Sequence, residues 1–225
     1  MSLSFPAAVN TAKQAAAAVH NINMPTGIAA GDLICVCYRS GDNGRHLTVP
    51  AGWDGEQHGT GGGSQTTHGV VHKIADGTES GTVEFAINTG TSSVGAVAFR
   101  CAGFDAADPF NSDNFVFTEE AAAEDPWTVT AGLLTGVAGS DSNIVLVGGA
   151  SASRTITTQD SGLTLIDSMT TGYSVHVLRE ESPGISNAAY SNNMSDSRAW
   201  VDILFEIKAA ALGVGPVITL ASFAA

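Results

Sequence analysis

Six consecutive apolar residues, Leu33, Ile34, Cys35, Val36, Cys37 and Tyr38, stand between a Gly-Asp pair and the polar turn SGDNG. A run this short, closed at both ends by turn residues, predicts a central strand buried on both faces. Further strands are expected over residues 66–75, in TVEFAIN, where Val83, Phe85 and Ile87 share one face, and in VGAVAFRCAGF (94–104). The strands at 66–75 and TVEFAIN, joined by ADGTESG, read as neighbours. The long stretch GDNGRHLTVPAGWDGEQHGTGGGS reads as a wide loop, because Gly and Pro punctuate it too often for a helix. Within it, Pro50, Gly52 and Trp53 predict a turn that drops an aromatic ring onto the core. Near the start, the Ala run of NTAKQAAAAVHNI predicts one or two helical turns, stopped by Pro25 and Gly27.

The second half repeats this order. SNIVLVGGAS (142–151) parallels GDLICVCYRS, SGLTLIDS (161–168) follows a polar loop as AGWDGEQ does, GYSVHVLREES parallels THGVVHKIADGTES, and RAWVDILFEIK (198–208) parallels VGAVAFRCAGF. In that last strand Ala199, Val201, Ile203, Phe205 and Ile207 form one face, read as core, and Trp200, Asp202, Leu204, Glu206 and Lys208 the other. Short strands, Gly-rich turns and no sustained helical period predict an all-β chain: an antiparallel β-sandwich, jelly-roll-like, each half giving strands to both sheets. Two separate small sandwiches are the alternative. The expected organisation is one domain over residues 1–208, with halves 31–110 and 127–208. TEEAAAEDP (118–126) repels itself and favours solvent, so residues 111–126 read as a bridge. The uncharged tail 209–225 is too short and too interrupted to span a bilayer, and is expected to dock on its own domain or to add to a neighbour's sheet.

Charge narrows the function classes. Nine Lys and Arg against 22 Asp and Glu give a net charge of −13, which opposes binding to a phosphate backbone. No apolar run reaches the 18 or so residues of a membrane helix, and MSLSFPAAVN lacks the basic-then-apolar layout of a signal peptide. The chain is therefore expected to be soluble and made in the cytosol, without nucleic-acid or membrane partners. Cys35, Cys37 and Cys101 cannot pair completely, and the first two point to the same face of one strand; they read as small apolar residues of a reduced core.

Motifs of strong catalytic meaning, HExxH, a P-loop, GxSxG or GxGxxG between strand and helix, do not occur in the sequence. GTGGG (59–63) has no helix after it and reads as loop. His68 and His72 on a strand are about 13 Å apart, too far to share one ion. Glu79, Glu84, Asp202 and Glu206 are the carboxylates to weigh for glycoside hydrolysis, and they read as strand-surface charges. The turns GDNG (41–44) and ADG (75–77) lack the ligand series of a calcium loop. Trp53, Trp127 and Trp200 are candidates for a sugar-stacking platform, with core packing favoured for Trp53 and Trp200.

The succession of a GDL strand, VPAGWD, HKIADGTESGTVEF and AVAFRCAGFDAADPF resembles a β-sandwich module of tailed-bacteriophage virion proteins and related bacterial surface proteins. In that module a PAGW turn precedes a strand ending in K-x-A-x-G-x-E, and a later strand ends in an R-G-x-D…P corner. The likeness covers residues 31–110, and residues 142–208 in general order; here the corner carries Cys101 and Ala102 before its Gly. The resemblance implies a non-enzymatic structural protein of a phage particle, with no catalytic, cofactor-binding or metal-binding residues. A decoration or cement protein on the head surface is the favoured role, and a tail accessory or carbohydrate- or receptor-binding module the alternative. The implied partners are the major capsid protein or other virion proteins and further copies of the chain, and the implied location is the virion, after synthesis in the host cytoplasm.

Overall fold

The computed structural model describes residues 3–61, 66–110, 115–130, 134, 142–150, 152–181, 189–196 and 198–211. The first half forms β1 (Ser4–Thr11), β2 (Val19–Asn23), β3 (Leu33–Ser40), β4 (Gly55–Gly61), β5 (Thr66–Ile74), β6 (Thr82–Ala86) and β7 (Val94–Ala102). The second forms β8 (Phe115–Glu124), β9 (Trp127–Thr130), β10 (Asn143–Ala150), β11 (Ile156–Thr158), β12 (Thr164–Met169), β13 (Ser174–Glu181), β14 (Ala189–Met194) and β15 (Arg198–Ile207). All the pairings are antiparallel, and among the described residues there is no helix.

The antiparallel sandwich is as the sequence predicts, but its strands are shared out differently. Each half builds its own five-stranded sheet, β1-β7-β3-β5-β4 from the first and β8-β15-β10-β13-β12 from the second. Counted within its own half, each sheet has the same order: first, fifth, second, fourth, third. Each half also adds a small outer sheet, β2-β6 in one and β11-β14-β9 in the other. Contacts between the large sheets are reciprocal: β1 lies against β12 and β8 against β4, while β7 faces β12 and β13, and β15 faces β4 and β5. Exchanging the halves exchanges these pairs, so the two are related by an approximate twofold axis. Beyond β7 and β15 the chain pairs with its own counterpart: Phe104 bridges Ala209, and the Ala210 amide donates to the Gly103 carbonyl at 2.8 Å.

The result is four layers and three apolar seams. Cys35, Cys37, Val97 and Phe99 meet Val145, Val147, Ile203 and Phe205 between the large sheets. Ile34, Val36 and Ala98 lie under Phe85, Ile87 and Leu47. Ile144, Leu146 and Leu204 lie under Trp127, Val129 and Tyr190. Every residue of β3 and of β10 is buried, as a strand covered on both faces requires.

Four expectations are corrected. The Ala run forms no helix: β2 pairs with β6, and His20 is buried with its ring nitrogens 3.0 Å from Gln14 Oε1 and 2.8 Å from the Ser92 carbonyl oxygen. Four alanines gain too little from one helical turn to outweigh that burial and pairing. β6 is no neighbour of β5; the turn after Ile74 carries it off the sheet, where Phe85 covers the apolar outer face. Gly55–Gly61, read as loop, is β4, since pairing with β5 uses backbone groups that glycine also has. The segment read as a bridge holds β8, an edge strand paired with β15.

The tail beyond Ala211, and Gly62 and Gly63 of the glycine run, lie outside the described residues. The corner after β7 is pinned by Arg100 Nη1 to Asp32 Oδ2 at 2.8 Å and by Lys208 Nζ to Asp108 Oδ2 at 3.1 Å.

Candidate functional site

Arg39 continues the odd-numbered face of β3, after Cys35 and Cys37, and so points into the seam between the large sheets. Its cross-strand partner on β5 is His68. Arg39 is 1% exposed and His68 fully buried. Across the seam stands Gly149 of β10, where a Cβ would lie 1.9 Å from His68 Cε1; the missing side chain makes the room the imidazole occupies.

Tyr173, from the turn between β12 and β13, reaches back over this pair. Its ring centroid is 3.9 Å from Arg39 Cζ and 4.1 Å from Lys13 Nζ. Its hydroxyl is hydrogen-bonded to Ser93 Oγ. A Cβ at Gly41 would come within 2.2 Å of that hydroxyl, so this glycine also keeps space for the tyrosine.

The electrostatics are unusual for an interior. Arg39 Nε and Nη1 and both ring nitrogens of His68 have no hydrogen-bond partner. Burial lowers the Arg39 pKa to about 10, against an opposing pull from Tyr173. Burial first, and the Arg39 charge second, hold His68 well below the ordinary histidine range. The guanidinium is thus satisfied largely by an aromatic face.

A second polar cluster lies under the outer layer of the second half. Asp202 Oδ1 accepts from Trp127 Nε1 at 2.8 Å and Asp202 Oδ2 from Thr118 Oγ1 at 3.3 Å. Trp127 and Trp200 stack with centroids 5.0 Å apart at 16°, and His176 stands 5.9 Å from Trp200. Burial lowers the His176 pKa to about 4. Gly148 admits Trp127: a Cβ there would meet its ring at 2.0 Å.

The residues weighed from sequence fall apart in space. Asp202 and Glu206, read as surface charges, are fully buried, because the outer sheet covers the face of β15 that a two-layer reading leaves in water. Glu79 is ion-paired with Lys73 at 2.5 Å, and Glu84 is exposed on β6. His72 packs on Phe110 at 4.6 Å, on the same strand as His68. Among the described residues no group of three or more His, Cys, Asp or Glu is placed to hold a metal. The ADG turn is closed from within, Asp76 Oδ1 accepting from the Thr78 amide at 2.9 Å and Oδ2 pairing with Lys73 at 3.0 Å, while Asp42 of GDNG lies 3.5 Å from Arg45. Trp127 and Trp200 are fully buried, and Trp53 packs edge-on against Phe85 at 5.0 Å, so the three rings make no common platform. All three thiols are free and buried, and burial pushes the Cys101 pKa up to about 12.

Arg39, Ser93, Tyr173 and Lys13 were missed in the sequence. The one signal was the parity of Arg39, a charge in register with inward-facing residues of a doubly buried strand. No protein-family model, no curated protein and no solved structure matches this chain.

Proposed function

We propose that this protein is a non-enzymatic structural component of a bacteriophage particle, most specifically a decoration protein on the capsid surface. The sequence motifs of residues 31–110 suggest it, and one structural observation supports it. The buried polar groups are spent on joining layers: Tyr173 locks the second half to Ser93 and Arg39 of the first, and Asp202 ties β15 to Trp127 of the outer sheet. A rigid block of this kind suits a particle component that works by shape. Its partners in this reading are the major capsid protein or other virion proteins, together with further copies of itself.

The test is to add the purified protein to phage heads that lack it and to image them by cryo-electron microscopy. Symmetric density on the shell is the expected result. Bare shells at saturating protein overturn the decoration role.

A further inference from the structure

We propose that the seam between the two five-stranded sheets is an acid-released joint, opened when His68 takes up a proton. At one end of the seam Arg39 and His68 stand side by side, and His72 lies four residues along the same face of β5, against Phe110. His68 is faced by Arg39 from β3 and by the backbone of Gly149 from β10, and its partner on β4 is Gly59. Tyr173 stacks on Arg39 and Lys13 lies over the same ring. β15 also packs against β5, and its inward Val201, Ile203 and Phe205 are uncharged. Among the described side chains facing His68 none is a carboxylate, so a proton on it would sit beside a second cation with none of them to balance it. The two ring nitrogens have no partner in the closed seam, so an added N–H would find no acceptor there.

Relief is available only by separation. Gly149 belongs to the other half, and the ring is pressed against it too closely for water to enter between them. Opening the seam at this end gives water to the imidazolium and to Arg39 Nε and Nη1. The depressed pKa of His68, caused by burial and by Arg39, agrees with this geometry. The sign follows from linkage. The closed form binds no proton on His68 and the open form binds one below about pH 6.5, so acid favours the open form, by about tenfold per pH unit.

The experiment is hydrogen–deuterium exchange on the full chain at pH 7 and pH 5, corrected for intrinsic rates, with His176→Gln and the double variant His68→Gln/His176→Gln, so that His176, the other buried histidine with a lowered pKa, titrates in neither. His176→Gln is expected to lose at least about tenfold in protection over β5 and β10 at the lower pH, and the double variant less than about twofold. Equal loss in the two, or a loss confined to other strands, overturns the proposal. Should the double variant not fold, the wild-type imidazole signal decides by NMR. Protonation of His68 while β5 and β10 stay protected refutes the joint; protonation only in the open form supports it.

Discussion

The two halves have one topology and two ways of filling it. Aligning them on their inward faces, Cys35 and Cys37 correspond to Val145 and Val147, and Val97 and Phe99 to Ile203 and Phe205. The central seam is therefore built alike from both sides. The outer seams differ. Phe85, Ile87 and Leu47 cover the first sheet with hydrocarbon, whereas the second is covered by stacked tryptophans around a buried carboxylate. Each half also carries a buried histidine the other lacks: His68 corresponds to Val175, and His176 to Gly69. Backbone pairing and an apolar inner face are enough to hold the common topology. The polar clusters sit where the halves are free to differ.

That contrast can be broken experimentally. The largest effect is expected from Trp127→Ala, which removes a stacked ring and the 2.8 Å donor to Asp202 Oδ1; it should lose about 5 kcal/mol in denaturant unfolding, against about 3 for Phe85→Ala in the first half. Equal losses would show that the two outer layers are energetically alike. Gly149→Ala, whose methyl has no space beside His68, is expected to lose about 3 kcal/mol, and a neutral result would mean that the seam yields.

Acid should then separate the halves. His176, neutral and buried with its pKa near 4, contributes fully above about pH 6.5 and progressively less as pH falls toward 4. Relative to His176→Gln, wild type should lose about 2 kcal/mol between pH 7 and pH 5, as read from paired unfolding curves. Asp202→Asn keeps an acceptor for Trp127 and removes only the charge, so a loss of about 1 kcal/mol is expected. A loss above that of Gly149→Ala would give the carboxylate a larger role than holding the indole. The smallest effect is chemical: none of Cys35, Cys37 and Cys101 should react with a thiol reagent in the native state, and labelling before unfolding would contradict their burial.

Much of the fold was legible in the chain. The burial of Leu33–Tyr38, the inward face of Ile203, Phe205 and Ile207, and the repeated strand order all follow from apolar periodicity, a local property. The outer layers were not legible, because a strand's second face reads as solvent-facing whenever it holds Asp202 or Glu206. Only the position of Trp127, 75 residues away in the chain, turns that face into a seam. The Arg39 cluster was hidden for the same reason, its parts coming from β3, β5, the turn before β13 and the segment after β1.

By itself, then, the sequence determined an antiparallel β-chain with a duplicated order and reduced, buried thiols, since alternation and turn chemistry act between near neighbours. Tertiary structure decided that each half closes its own sheet, that four layers stack instead of two, and that Arg39, His68 and Tyr173 meet. Those outcomes depend on which distant surface covers which face, and that is settled only when all the apolar faces are buried at once.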